Sequence, residues 1–298
     1  MMRTGLLQGR VAVITGSTRG LGLAIAQAYA REGAAVVVAS RSAVAVEETV
    51  SSLEAEGAQA IGRLCDVGEL SQVEALAAHA LEAFGHLAVW VNNAGVSAPY
   101  GPTIHITPKE IDQVMRTNML GVYYGSLVAL RYFLPEGRGK LINVLGRGAR
   151  QPVPFQNAYA ASKAWNRSFT LALAREYRET GVGIFAFSPG LVDTDLLRKV
   201  EVVAGYEERL KPLKTVMRMW ANPPEVPAHK ALWLASSATD GRTGLDIRVL
   251  GTAGMVGGVL REGWRRLMRR PAAPIELSVT SVPAAISLSI APGGRGRS

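Results

Sequence analysis

Cysteine is nearly absent from this chain: Cys65 stands alone among 298 residues, which excludes an intramolecular disulfide and a cysteine-rich zinc site. Histidine is scarce as well. His79, His86, His105 and His229 are scattered without the spacing of a metal site. No apolar run reaches the ~20 residues of a membrane span. No long apolar stretch precedes the first strand-like run, so a secretory leader is not expected and the chain reads as cytoplasmic. Acidic residues are too few to balance the basic ones, 24 against 33, which leaves a net charge of +9. Such a surplus raises nucleic acid as a partner, but its placement argues against a broad binding face. Seven arginines and only two glutamates lie between Arg261 and Ser298, and they carry five of the nine net charges. Arg261, Arg265 and Arg269 recur every fourth residue with Trp264, Leu267 and Met268 nearby, the outline of a short basic amphipathic helix. Runs of this kind are ordinarily solvated, so contact of the tail with nucleic acid or a membrane is not expected.

What is plentiful is apolar sequence, 48% of the chain, enough at this length for the core of one large domain. Strand-like runs at 11–15, 34–39, 60–65, 88–91, 140–145, 183–187 and 246–250 alternate with helical patterns at 20–32, 43–56, 69–84, 107–134, 155–180 and 224–237. Alternation of this kind predicts a single-domain α/β fold, a doubly wound parallel sheet of about seven strands with helices on both faces. Residues 194–223 interrupt the pattern with charged, leucine and aromatic residues, at the sheet edge where a ligand crevice is expected, and read as a substrate lid. The domain spans 1–262. Beyond it an arginine cluster passes into Ser-, Ala-, Pro- and Gly-rich sequence, so 263–298 read as a mobile appendage.

Two motifs carry the chemistry. Residues 15–22 (TGSTRGLG) follow the first strand and open the first helix. Glycines there let the backbone approach a ligand, and the helix N-terminus presents free N–H groups and roughly half a positive charge to a pyrophosphate. Tyr159 and Lys163 stand four residues apart in a helical stretch, which puts them on one face about 6 Å apart at Cβ. A cation so placed acts on the phenol; lowering a phenol from about 10 to about 7 takes roughly 4 kcal/mol of preferential stabilisation of the phenolate.

From Gly5 to about Met255 the chain resembles the short-chain dehydrogenase/reductase family, single-domain Rossmann-like proteins. The resemblance rests on Gly16, Ser17, Thr18, Arg19, Gly20, Leu21 and Gly22 of the glycine loop. It extends through Asp66 and Val67 after the third strand, the Asn92-Asn93-Ala94-Gly95 run after the fourth, Asn118, the Tyr159/Lys163 pair, and Ser188-Pro189-Gly190 with Val192 and Thr194 after the sixth. It implies that Asp66 meets the adenine of a dinucleotide, that Asn92, Ala94 and Gly95 lie against its adenosine side, and that Pro189, Gly190, Val192 and Thr194 surround the nicotinamide amide. Tyr159 is implied as proton donor or acceptor, Lys163 as the group that holds the nicotinamide ribose and acts on the phenol, and Asn118 as the holder of a relay water. An oxidoreductase acting on a small carbonyl or alcohol follows, as does a homodimer or homotetramer built through the helices carrying Asn118 and Tyr159.

The second strand ends Ala39-Ser40-Arg41, with no carboxylate for a ribose diol, and Arg19 stands in the glycine loop. Guanidinium groups bind phosphate through paired, charge-assisted hydrogen bonds, so NADP(H) is expected over NAD(H), although both arginines also suit a solvated surface. One family position departs. The serine that the family carries thirteen residues before the tyrosine is Gly146 here, within Asn143-Val144-Leu145-Gly146-Arg147-Gly148, and a register shift of one or two residues recovers no hydroxyl. Losing such a donor typically costs about 10²- to 10³-fold in turnover. Ser97 is one candidate substitute and Arg147 a candidate for an anionic substrate. The alternative is a cofactor-binding module that has lost efficient catalysis.

Overall fold

The computed structural model describes residues 5–268, 271 and 274–285. Seven parallel strands form its central sheet: β1 (Val11–Thr15), β2 (Ala35–Ser40), β3 (Ala60–Leu64), β4 (Val89–Asn92), β5 (Lys140–Val144), β6 (Gly183–Ser188) and β10 (Asp246–Arg248), side by side in the order β3-β2-β1-β4-β5-β6-β10. The order reverses between β1 and β4, and it is at such a switch point that open α/β sheets bind ligands. The seven expected strands are all present, within a residue or two at each end.

Continuous apolar strands such as VAVIT and AVVVAS are what a sheet covered on both faces requires. Their side chains alternate. Ala12, Ile14, Val36 and Val38 pack with Ile25 and Tyr29 of α1 (Gly20–Arg31), Leu53 of α2 (Ala43–Ala55) and Leu234 of α9 (Glu225–Ala235). Val11, Val13, Val37 and Trp90 pack on the other side with Leu76 of α3 (Leu70–Phe84), Phe133 of α5 (Gly121–Glu136) and Leu173 of α6 (Asn157–Glu176). Each large side chain fully buried in these layers contributes roughly 1.5–3 kcal/mol.

The helix expected over 107–134 is interrupted. α4 (Pro108–Met115) starts on a capping box, with the Thr107 hydroxyl accepting from the Glu110 N–H and the Glu110 carboxylate accepting from the Thr107 N–H. A π-turn over Arg116–Leu120 then precedes α5, closed by the Gly121 N–H donating to the Arg116 carbonyl. One residue too many for an α-helical ladder is absorbed there, and hydrophobic periodicity does not register so local a change.

Residues 191–222 form a small layer of their own: β7 (Leu191–Val192), α7 (Asp195–Arg198), β8 (Lys199–Val203), α8 (Leu213–Trp220) and β9 (Ala221–Asn222), with β7 pairing β9. The C-terminal segment runs back onto it. α10 (Thr252–Leu267) crosses residue 262 and packs on α8, and β11 (Ser278–Val282) pairs in parallel with β8 from Ser278↔Lys199 to Val282↔Val203. Within the segment set apart as an appendage, residues 278–282 are thus a strand on this small layer. Arg269, Arg270, Arg295 and Arg297 lie outside the described residues. Arg261, itself exposed, donates to the Met219 carbonyl at 2.8 Å and the half-buried Arg265 to the buried Glu262 carboxylate at 2.8 Å, while Leu260, Trp264 and Leu267 face solvent. Among the described residues the exposed part of this helix thus carries apolar side chains beside Arg261. Among the described residues no helix is long and apolar enough to cross a membrane, and no acidic, histidine and cysteine cluster could hold a metal.

Candidate active site

The strand ends at the switch point gather the site. β1 leads into a loop in which Gly16 (φ +64°) and Gly20 (φ +55°) adopt left-handed conformations that only glycine takes without strain. A Cβ on Gly16 would lie 2.9 Å from the Ala94 backbone, and one on Gly20 would lie 3.1 Å from the Thr194 methyl. The glycine loop thus touches both the loop after β4 and Thr194, just before α7. α1 begins without a side-chain cap and without an acidic residue in its first turn, so its N-terminal N–H groups remain available to an anion. A dinucleotide pyrophosphate fits that cradle.

Not every residue of the expected set turns its side chain to a ligand. Ser17 is fully buried; its hydroxyl donates to the Ile14 carbonyl at 2.7 Å and accepts from the Ala39 N–H, tying β1 to β2. Asn92 is equally committed, accepting from the Trp90 indole at 2.8 Å and donating to the Asn143 side chain at 2.8 Å inside the sheet. Its side chain therefore does not lie against an adenosine, because the polar network between β4, β5 and α5 consumes it. Val67 packs against Gly121 of α5, and Pro189 is buried. These positions offer a ligand only backbone. Asn93, by contrast, donates to the Thr15 and Gly16 carbonyls at 3.0 and 3.1 Å and holds the two loops together. Thr18 is partly open, and Arg19 and Arg41 are exposed. Among the described residues neither arginine makes a salt bridge. The Ser40 hydroxyl is engaged in a local turn with Ser42, and the Asp66 carboxylate accepts from the Gly68 N–H at 2.9 Å. Gly190 (φ +80°) turns the chain against Leu250.

Tyr159, Lys163 and Asn118 come together over the end of β5. The Lys163 ammonium lies 5.6 Å from the Tyr159 ring centre and donates to the Val144 carbonyl at 3.1 Å. The π-turn buries Asn118 completely and makes it a double tie: its Oδ1 accepts from the Val96 N–H and its Nδ2 donates to the Val96 carbonyl, both at 2.9 Å. A third bond runs from Nδ2 to the Ser162 hydroxyl at 3.0 Å, which in turn donates to the Tyr159 carbonyl. A Cβ on Gly95 would lie 3.5 Å from Asn118 Oδ1 and 3.7 Å from Lys163 Nζ, so the three elements meet at one point. Burial holds the Tyr159 phenol up at about 12 and the Lys163 ammonium down at about 8. Bringing that phenol to about 7 takes roughly 7 kcal/mol, well above the need of an unburied tyrosine.

A cleft with room for about one water molecule opens beside the Tyr159 side chain, lined by Ser97, Pro99, Ile106, Ile111, Phe155 and Gln156 among others. Ser97 is exposed and its hydroxyl donates to the Ala98 carbonyl. Arg147 is exposed and outside the cleft lining. Leu196, Leu197, Met217, Met219 and Trp220, from the segment expected as a lid, are not part of that lining either. Phe155 has a positive φ of 66°, strain of the kind that clusters at functional sites. Its ring packs 5.6 Å from Tyr100 and 5.9 Å from Tyr206, with the Arg209 guanidinium 4.4 Å above it. No sequence pattern marked this aromatic cluster, whose members are up to 55 residues from Phe155.

A doubly wound parallel sheet, a glycine-loop helix N-terminus at its switch point and a Tyr-Lys pair facing it define a dinucleotide-binding oxidoreductase. Residues 10–202 match the family model for short chain dehydrogenases, and the chain belongs to that family, an NAD(P)-binding, Rossmann-fold one. A 3beta-hydroxysteroid dehydrogenase of Eggerthella lenta is 34% identical over 247 residues, covering 82% of this chain and 94% of that protein. Among solved structures, a 3-ketoacyl-(acyl-carrier-protein) reductase from Brucella melitensis complexed with NADH superposes with a TM-score of 0.74 at 28% identity, over 83% of this chain and 99% of that one. A Beutenbergia cavernae protein described as an NAD(P) dependent gluconate 5-dehydrogenase, with bound NADP at low occupancy, gives a TM-score of 0.72 at 30% identity, over 84% and 98%.

Proposed function

We propose that this protein transfers a hydride between NADP(H) and the carbon of a small carbonyl or secondary alcohol. One observation carries the reading: the buried Lys163 ammonium lies 5.6 Å from the Tyr159 ring centre, where α6, the Asn92–Gly95 loop and the π-turn meet. The cofactor, when bound, supplies or accepts the hydride. Tyr159 hydrogen-bonds the substrate oxygen and hands it a proton as charge develops there. The phenol is protonated at neutral pH, the form that donates in reduction, and burial is what must be offset for it to give the proton up. Lys163 is charged up to about pH 8 and stabilises the phenolate left behind. Asn118 fixes the backbone at Val96 and the start of α6, which sets the geometry of the pair. Arg41 at the end of β2 and Arg19 in the glycine loop, exposed and without salt bridges among the described residues, suit a 2′-phosphate; solved relatives carry either cofactor.

The test is direct. Titration with NADPH and NADH gives the cofactor preference, and oxidation of NADPH followed by absorbance against ketones, aldehydes and quinones gives the activity. Tyr159→Phe is expected to lower turnover by about 10²- to 10⁴-fold with the NADPH dissociation constant little changed. NADPH binding without turnover of any carbonyl by the native chain would instead mark a cofactor-binding module.

A further inference from the structure

Gly146 lies two residues beyond β5, and its φ is outside the left-handed region. The backbone there accepts any L-residue; only space forbids one. A Cβ built on Gly146 would sit 2.4 Å from the Tyr159 phenol oxygen, 3.1 Å from Cζ of the same ring and 3.3 Å from Lys163 Cγ. Real Cβ atoms essentially never come within 2.4 Å of another heavy atom, so a side chain on this residue requires the phenol, the far end of the Tyr159 side chain, to shift.

We propose that Gly146 is a positioning residue: its bare Cα forms the seat of the Tyr159 phenol, which lies where a hydroxyl-bearing side chain after β5 would otherwise stand. The glycine is then not a lost donor waiting to be restored. Serine or alanine at this position displaces the phenol from Lys163, and the substrate oxygen is held by the phenol without help from the end of β5. The inference takes Tyr159 as the proton donor from the function proposed above, but the seat itself is a matter of packing and is measurable without a substrate.

The experiment is a double-mutant cycle on the full chain, with Gly146→Ala and Gly146→Ser made in the native and in the Tyr159→Ala background. Thermal midpoints are read for all six proteins, and kcat, KM and the NADPH dissociation constant for those with Tyr159. The expected result is a lowered midpoint for both single variants, with at least half of that loss abolished when the ring is removed. Turnover should fall about 10²-fold in Gly146→Ser as in Gly146→Ala, as displacement of a reacting group by about 1 Å does, with KM and NADPH affinity changed much less. A single variant that fails to fold while its Tyr159→Ala partner folds gives the same answer. Equal losses in both backgrounds, failure of both to fold, or a Gly146→Ser protein as fast as the native one would overturn the proposal. Absence of turnover in the native chain would sink the proposed function alone, since the midpoints still decide the packing.

Discussion

Burying Lys163 sets a sign on the pH dependence of stability. Its ammonium titrates at about 8 in the folded chain against 10.5 when solvated. Below pH 8 both states are charged and the folded state bears the full desolvation penalty, roughly 3 kcal/mol. Between about 8 and 10.5 the unfolded chain holds the extra proton, so this residue makes folding more favourable as pH rises. Lys163→Met should therefore unfold at a higher temperature than the native chain at pH 7, with the gap closing towards pH 10, while its turnover is lost; calorimetry across that range checks it. Above about 10 the raised Tyr159 phenol acts in the other direction, because the folded state keeps a proton that the unfolded chain releases. For the cofactor, Arg41→Ala should raise KM for NADPH about 10- to 100-fold, the worth of one charged hydrogen bond, and leave KM for NADH within about twofold. An equal effect on both cofactors would remove Arg41 from 2′-phosphate recognition.

At the level of elements, periodicity located the strands and helices but not what bends or joins them. Apolar alternation marks a helix over 107–134 equally well with or without an extra residue, yet the π-turn at Arg116–Leu120 is what buries Asn118 against Val96 and Ser162. The strand β11 was equally hidden, since Ser-Val-Thr-Ser-Val reads as weakly polar chain until the edge of β8 is placed beside it. Its pairing is continued by the Ala204 N–H donating to the Val282 carbonyl at 2.9 Å and the Ala285 N–H to the His105 carbonyl at 3.2 Å. Removing residues 269–298 should uncover the β8 edge, lower the thermal midpoint and raise KM for the carbonyl more than KM for NADPH. Unchanged kinetics in the truncated protein would separate this strand from the substrate side.

On the scale of the whole molecule, α5 and α6 carry an aromatic surface: Tyr123, 41% exposed, contacts Phe169 edge-on at 6.1 Å, and Trp165 stacks on Phe169 at 4.7 Å. These are the helices through which the family resemblance implies a homodimer or homotetramer. Sedimentation equilibrium is expected to show one of the two, and Tyr123→Glu to shift it towards monomer. A native chain that sediments as a monomer at all concentrations would refute the assembly.

What the sequence determined by itself was whatever repeats or sits in a fixed local frame. Seven apolar runs made the sheet and its two faces, glycines 16 and 20 made the turn, and a four-residue step put Tyr159 and Lys163 on one side of a helix. The tertiary structure decided what depends on distant partners. It turned the Asn92 and Ser17 side chains into the sheet, because buried polar groups must find partners wherever packing leaves them. It paired residues 278–282 with β8, since an exposed strand edge is satisfied by whichever segment reaches it. And it showed Gly146 to be the floor beneath a phenol thirteen residues away, for the space beside a glycine belongs to its neighbours and is written nowhere in its own stretch of chain.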